Sequence, residues 1–196
     1  QALTVEHQAT TLDGVHDLLR RLGDLAPAEV AARTAGGAAV AEPWLAELAA
    51  ARRAVRIRIG GEERWIAIED VARYRDGVGI APPDGTPAAF TGQTVGALDG
   101  LLARWARTHG PFLTPEPARR WGLPPGVVAD ALERLAAAGS LLLGEFRPDG
   151  AEREWCHPEV LRLLRRRSLA RLRREVEAVD PVALGRFLPA WHSISP

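Results

Sequence analysis

The sequence predicts a mostly α-helical protein with small β wings, an α+β fold in which tandem winged-helix domains are followed by a long arginine-rich helix. First, one order of elements (three helices, a hairpin and a further helix) occurs twice, with an offset of 87 residues from Leu48 to Leu135 and of 90 from Trp65 to Trp155. Second, a hairpin after a third helix is the winged-helix variant of the helix-turn-helix plan. Third, seven arginines and no acid lie between residues 162 and 174.

The first copy is predicted over residues 1–77 and is the more degenerate of the two. Apolar residues at helical spacing predict its helices, and strict alternation predicts its strands, which meet at a tight Gly60–Gly61 turn. The small residues over 34–41 predict a loop. The predicted helices cover 12–22, 27–34, 43–52 and 69–76, and the predicted strands cover 55–59 and 64–68.

A linker rich in proline and glycine is predicted over 78–94, and the second copy over 95–156. Thr114 and Pro115 mark the start of its second helix, and Gly139 marks the end of its third. The predicted helices cover 95–108, 115–121 and 127–138, and the predicted strands cover 141–146 and 152–156. Residues 157–196 are predicted to contain the arginine-rich amphipathic helix and the start of a further module.

The composition is that of a globular protein and excludes several classes. The chain has 196 residues, 46% of them hydrophobic, with 25 basic and 25 acidic side chains. No apolar run approaches the ~20 residues that span a bilayer, and no signal peptide opens the chain. The single cysteine, Cys156, excludes an internal disulfide and indicates a reducing compartment, so we expect a cytoplasmic location and no membrane partner.

Methionine and lysine are both missing from the whole sequence. There is no methionine, from which we expect a fragment of a longer protein or a processed chain. There is no lysine either, so every basic residue is an arginine. A P-loop and a lysine-based covalent mechanism are therefore excluded within this chain. No catalytic triad, paired-carboxylate signature or zinc motif is present, and we expect neither a catalytic residue nor a bound cofactor or metal.

The arginines are the candidate nucleic-acid contacts. On the first copy they lie at the end of the third helix and on the hairpin, where a row of guanidinium groups could follow phosphates; protection of an edge strand by charge is the alternative. On the second copy they precede the third helix, lie on it at Arg134 or lie on the hairpin after it. That helix carries Asp130 and Glu133 and offers a poor base-reading set near its start; solvated surface arginines are the alternative. The candidates are Arg52, Arg53, Arg56, Arg58 and Arg64 in the first copy, and Arg119, Arg120, Arg134, Arg147 and Arg153 in the second.

The arginine-rich helix has two faces. Its predicted apolar stripe runs from Leu161 to Val179, and Arg162, Arg166 and Arg173 cluster on the far side. This face could lie along a nucleic-acid backbone, or its arginines could pair with acids of neighbouring domains. The six tryptophans lie mostly at positions predicted to face a core, so core filling is favoured over base stacking.

Several blocks of the sequence resemble the bacterial large helicase-related family. They are Gly14–Leu25, Glu63–Asp70, Arg107–Phe112, Gly144–Pro148, Glu154–Cys156, Glu159–Ala170 and Gly185–Trp191. The resemblance covers nearly the whole chain. It implies a winged-helix segment downstream of the motor of a superfamily 2 ATP-dependent 3′-to-5′ DNA helicase. The family's ATP and magnesium sites lie in the motor domains, and none of their residues maps onto this sequence.

The resemblance implies an accessory, non-catalytic module of a DNA repair helicase, with single-stranded or forked DNA and neighbouring domains as partners. A structural or oligomerisation module without DNA contact is the first alternative, with a homo-oligomer as its signature. A free-standing winged-helix transcription regulator is the second, and the poor base-reading helix argues against it.

Overall fold

The computed structural model describes residues 7–147, 150 and 152–175, and it confirms the predicted fold class. Two winged helices follow one another, and the chain divides into two units, Gln1–Leu161 and Arg162–Pro196. The helices are α1 (Leu12–Leu22), α2 (Pro27–Ala31), α3 (Ala38–Ala50), α4 (Val71–Val78), α5 (Ala97–Thr108), α6 (Pro115–Trp121), α7 (Pro125–Ala137) and α8 (Pro158–Glu175). The strands are β1 (Ala54–Ile59), β2 (Glu62–Ala67), β3 (Leu142–Gly144) and β4 (Glu154–Cys156).

Helix α3 differs most from its predicted bounds, since it begins at Ala38, inside the segment 34–41 that we expected to be a loop. The reason is the alanine content of its first turn, because alanine has the highest helix propensity of all residues. Helix α2 is shorter than predicted and ends at Ala31. Beyond it, the backbone of residues 33–35 hydrogen-bonds with Ala9, which takes those residues out of the helix.

Each copy carries an antiparallel hairpin, which we call wing 1 (β1 and β2) and wing 2 (β3 and β4). The predicted turn of wing 1 is confirmed: Gly60 and Gly61 both have positive φ, at 57° and 84°, as a tight two-residue turn requires. Wing 2 is shorter than predicted. Its pairing ends at Gly144 and Glu154, because the Glu154 carboxylate accepts a hydrogen bond from the backbone N–H of Arg147.

The repeat extends to a third backbone pairing in each copy. Leu25, between the first two helices, exchanges backbone hydrogen bonds with Trp65 on β2. Phe112, 87 residues later, does the same with Trp155 on β4. Helices α3 and α7 both have 13 residues and begin 87 positions apart. The tandem winged-helix architecture therefore holds at the level of individual hydrogen bonds.

The structure has two hydrophobic cores, one built from the first copy alone and one built from both copies. The first lies inside the first winged helix and contains Leu19, Leu45, Leu48 and Trp65. The second is built around the second winged helix but also buries residues of wing 1 and α4. Four tryptophans, Trp65, Trp105, Trp121 and Trp155, are buried in these cores, and Trp44 is half-buried against the first.

The segment predicted as a linker over 78–94 packs against its surroundings. It contains a short 3-10 turn at Ala88–Phe90, and Phe90 packs on the second core. Arg75 on α4 donates to the carbonyl of Thr91, and Asp76 accepts from the N–H of Thr94. The start of a further module, Trp191 and the rest of 176–196 lie outside the described residues. Within the described part, no helix is long and apolar enough to cross a membrane.

Candidate nucleic-acid interface

The predicted contact arginines fall into three groups in the structure: buried in an ionic network, paired at the surface, and exposed. Arg64 and Arg120 form the buried group, since only 8% and 15% of their side-chain surfaces are exposed. The paired group is Arg53, Arg134, Arg147 and Arg153. The exposed group is Arg52, Arg56 and Arg58, together with Arg166 and Arg173 on α8. Arg119 and Arg162 are exposed as well, but Arg119 Nε donates to the carbonyl of Pro115 at 3.3 Å and Arg162 also has an interaction partner.

The buried group converges on Asp24, in the loop after α1. Arg120 Nε of α6 donates to Asp24 Oδ2 at 2.8 Å, and Trp121 Nε1 donates to Asp24 Oδ1 at 3.0 Å. Arg64 of β2 lies 3.4 Å from the same carboxylate. Arg120 also forms a bidentate pair with Glu29, at 2.9 and 3.1 Å. These side chains join the two winged helices, which no pattern in the sequence predicted.

This network shifts the pKa values of Glu29 and Arg120. Burial raises the pKa of Glu29, but the hydrogen bonds from Arg120 and from the N–H of Ala26 outweigh it, so the pKa lies below its ordinary value. Burial lowers the pKa of Arg120, but Glu29 and Asp24 more than offset it and raise the pKa. Both groups therefore stay charged, and a guanidinium so engaged is not available to phosphate.

A second buried ion pair links the same two copies. Arg104 of α5 donates to Asp70 Oδ2 at 2.5 Å and to the carbonyl of Arg20 at 3.1 Å. Tyr74 of α4 donates to Asp24 Oδ1 at 2.8 Å. Burial and the nearby Asp24 raise the pKa of Tyr74, so its hydroxyl remains a donor. Sequence reasoning missed Arg104, whose only signal was a charged residue on the apolar face of a helix.

The surface-paired arginines have partners within the chain, and carboxylates partly neutralise three of them. Arg53 donates to Asp13, and Arg134 donates to Asp99, each at 2.7 Å. Arg147 forms a short ion pair with Glu154, and Arg153 donates to the carbonyl of Leu143 at 3.5 Å. Their carboxylate or carbonyl partners compete with phosphate for the guanidinium groups.

The exposed arginines of the first copy form a row at the end of α3 and along β1. Arg56 and Arg58 lie on the face of wing 1 opposite Val55, Ile57 and Ile59. The Arg56 guanidinium lies 5.7 Å from the ring centroid of Trp65. It also lies 3.9 Å from the Glu63 carboxylate, but both of these charged side chains are exposed, so water screens the ion pair. Arg52 precedes them with a φ of 55°. We call Arg52, Arg56 and Arg58 the wing 1 arginine row.

Neither third helix presents base-reading side chains in its first turns. At the start of α7 the exposed residues include Pro125, Gly126, Val127 and Asp130. On α3 the exposed charges are Glu42 and Glu47. Because base edges are read mainly by arginine, asparagine and glutamine, and because carboxylates repel phosphates, this arrangement favours contact through the backbone.

An open cleft of about 410 Å³ lies between the tip of wing 1 and helices α5 and α6. Trp105 and His109 stack in its wall with ring centroids 3.5 Å apart, and burial lowers the pKa of His109, which is therefore neutral. Three arginines and the acids Glu62 and Glu116 line the cleft, and Arg64 donates to Glu62 at 2.6 Å. Among the described residues, no group of side chains could hold a metal ion. The cleft shows no assembly of nucleophile and base.

Comparison with known proteins agrees with this architecture. Residues 1–93 match the family described as large helicase-related protein, winged-helix domain. The chain is 45% identical over 194 residues to a protein of Mycolicibacterium smegmatis named Lhr helicase/probable uracil glycosylase. It is 31% identical over 183 residues to the Lhr helicase/uracil glycosylase of Escherichia coli. These matches cover 99% and 93% of this chain but 13% and 11% of the two relatives. The chain is a tandem winged-helix segment that belongs to the large helicase-related family.

Proposed function

We propose that this segment is a non-catalytic module of an ATP-dependent 3′-to-5′ DNA helicase that acts in DNA repair, and that it holds nucleic acid through the phosphate backbone. The observation that carries the proposal is the wing 1 arginine row, which is exposed while the opposite face of the same hairpin is buried. A ribbon anchored on one side presents its charges in a fixed array. Such an array suits a phosphate backbone, because phosphates recur at a regular spacing.

The proposal extends to the longer protein. Both relatives carry names that combine a helicase with a uracil glycosylase, which one of the two names gives as probable. We propose that ATP and magnesium are held by motor domains elsewhere in the polypeptide. The absence of lysine supports this, because a P-loop needs one. We also propose single-stranded or forked DNA as the partner and the cytoplasm as the location.

The test is the salt dependence of DNA binding by the full chain, measured by fluorescence anisotropy with labelled single strands and forks. Weak binding should fall steeply with salt. Replacing Arg52, Arg56 and Arg58 by serine should reduce the slope of log K against log salt by about 2 on single strands, at roughly 0.7 per lost contact.

A matched control removes three arginines that have internal partners: Arg53, Arg134 and Arg147. This variant should keep a slope closer to that of the unmodified chain. Equal losses in the two triple variants would show that overall charge, and not the wing 1 arginine row, governs binding. Absence of binding to either DNA at low salt would refute the proposal.

The structural alternative also has support in the structure. Buried ion pairs within the chain occupy Arg64, Arg104 and Arg120. Helix α8 also exposes two leucines to solvent, Leu169 and Leu172, each 56% exposed. A module that organises the larger protein without touching DNA would show these features. Sedimentation velocity discriminates the two functions: concentration-dependent self-association without DNA binding would favour the alternative.

A further inference from the structure

Two buried hydrogen-bond donors at the cleft beside the tip of wing 1 have no acceptor among the described residues. They are Arg64 Nε and Trp105 Nε1, and no other buried side-chain nitrogen or oxygen in the described part lacks a partner. Both residues line the cleft and are 7% and 9% exposed. A buried donor without an acceptor destabilises the folded state. Two such donors in one place therefore indicate a ligand that supplies acceptors.

The wall of the same cleft contains an aromatic platform. The rings of Trp105 and His109 stack with their centroids 3.5 Å apart and their planes 12° from parallel. Trp121 meets the Trp105 ring edge-on, and the Arg120 guanidinium lies 5.4 Å from the centroid of that ring. These contacts hold Trp105 in place, and His109 lines the cleft beside it, half-buried. A further planar ring can stack on such a surface.

The residues that line the cleft also carry hydrogen-bond acceptors. His109 Nδ1 lies 2.9 Å from the carbonyl oxygen of Trp105, which can only accept, so Nδ1 carries the proton and Nε2 the lone pair. Glu116 accepts from the N–H of Leu113 through Oε1, and its second oxygen can accept from a ligand. The cleft thus offers both donors and acceptors around one aromatic platform.

One arginine at the cleft suits a phosphate. Arg119 is exposed, and its Nε donates to the carbonyl of Pro115 at 3.3 Å, so its two terminal NH2 groups can meet an anion. Arg64 and Arg120 are instead held by the carboxylate of Asp24. The cleft therefore has room for a single phosphate contact beside the platform.

An unpaired nucleobase matches this combination of groups. Its plane can stack on the platform, and its ring nitrogens and carbonyls can accept from the two buried donors. The amino group of cytosine can donate to a carboxylate, and thymine has no such group. The edge of a base is accessible in this way only when the base is not paired in a duplex. The volume of about 410 Å³ lies within the range of about 300–1,000 Å³ typical of small-ligand pockets.

We propose that this cleft binds one unpaired, amino-bearing nucleobase of a DNA single strand, stacked on His109, with an adjacent phosphate on Arg119. Among the pyrimidines the expected base is cytosine, whose amino group donates to Glu116. The proposal rests on the proposed function, which supplies the strand. It adds a base contact to a module whose third helices present no base-reading side chains in their first turns.

The test measures the binding of three labelled strands to the full chain by fluorescence anisotropy. The strands have about ten nucleotides each and contain only cytosine, only thymine or only abasic sites. Their phosphates are the same, so charge attraction is equal. The cytosine strand should bind about tenfold more tightly than the abasic strand, as the stacking of one base predicts, and more tightly than the thymine strand.

Substitutions in the cleft separate the two parts of the proposal. His109→Ser should reduce the preference for cytosine over abasic sites, because the stacking surface is lost. Glu116→Gln should reduce the preference for cytosine over thymine, while the glutamine oxygen still accepts from the N–H of Leu113. Glu133→Gln, at an exposed carboxylate on α7, is the matched control for charge and should keep both preferences.

The possible results distinguish this inference from the proposed function. Absence of binding by every strand at low salt would refute both. Equal, salt-dependent binding of the cytosine and abasic strands would overturn base recognition and leave the phosphate contacts standing. Equal binding of cytosine and thymine would overturn the assignment to an amino-bearing base. Unchanged preferences in both His109→Ser and Glu116→Gln would place the base outside the cleft. Tighter binding of free deoxycytidine monophosphate than of the cytosine strand would assign the cleft to a mononucleotide instead.

Discussion

At the scale of single residues, the surroundings of each arginine decide its role. Arg56 and Arg120 are the same residue type on candidate contact elements. Arg56 faces solvent on β1, whereas Arg120 lies among Asp24, Glu29 and the ring of Trp105. The periodicity of the sequence could place Arg56 on a strand and Arg120 on a helix. It could not show that Arg120 contacts the carboxylate of Asp24, 96 positions away in the sequence.

The Asp24 carboxylate is predicted to be the single most important polar group for stability. Asp24→Ala leaves Arg64, Arg120, Trp121 and Tyr74 without their shared acceptor, and breaking a buried ion pair costs about 3–5 kcal/mol. Urea unfolding should show this loss. Asp99→Ala, which breaks the exposed pair with Arg134, is the control and should change stability little. Equal effects would contradict a central role for Asp24.

Glu29 predicts a dependence of stability on pH. Its pKa in the folded state lies below the ordinary value of 4.5, so its contribution is fully present above that pH and disappears as the pH falls through the lowered pKa. Unfolding free energy measured from pH 6 downward should fall less steeply in Glu29→Gln. Glu47→Gln, at an exposed position on α3, should retain the full acid sensitivity.

At the scale of elements, the patterns in the sequence predicted which helices and strands form, and the structure corrected their ends. Hairpin turns were predictable because Gly60–Gly61 has a local backbone requirement. The start of α3 was misplaced, because the small residues and glycines over 34–41 favoured a loop over the helix that the alanines from Ala38 onward support. The short ladder of wing 2 was also unpredictable, since it depends on the side chain of Glu154 bonding to the backbone at Arg147.

A side chain at Gly60, at the tip of wing 1, should lower the stability of the protein more than one at Gly61. A Cβ there would lie 2.9 Å from the carbonyl oxygen of Arg120, whereas a Cβ at Gly61 would meet open space. Both glycines have positive φ, so each alanine variant should lose about 1–2 kcal/mol from the backbone alone. Gly60→Ala should lose more, and thermal unfolding of the two variants measures the difference. An equal loss of stability in the two variants would show that the tip of wing 1 is not in close contact with α6.

At the scale of the molecule, the two winged helices share a core. Because Ile57, Ile66 and Val71 of the first copy pack in the second core, and because Arg104 and Arg120 bind carboxylates of the first, neither copy can unfold without exposing the other. The predicted boundary near residue 77 therefore separates two sequence repeats, while Gln1–Leu161 forms one compact unit.

Unfolding of the chain should accordingly be a single cooperative transition over this unit. Tryptophan fluorescence and far-ultraviolet circular dichroism should give coincident urea curves, which is the test of two-state behaviour. The Asp24→Ala variant should shift both curves together. Two resolved transitions, or early proteolytic cleavage within 79–95 that leaves both halves folded, would contradict the shared core.

The sequence by itself determined the fold class, the duplicated element order and the exclusion of a P-loop, because these depend on local periodicity, turn chemistry and composition. It indicated the family separately, through blocks of residues that resemble it. Only the tertiary structure decided which arginines face solvent and which join the two copies. It also decided that Arg64, Trp105 and His109 line one cleft at the tip of wing 1. The physical reason is that a guanidinium or an aromatic ring acquires its role from partners distant in sequence, and no pattern confined to one element encodes those partners.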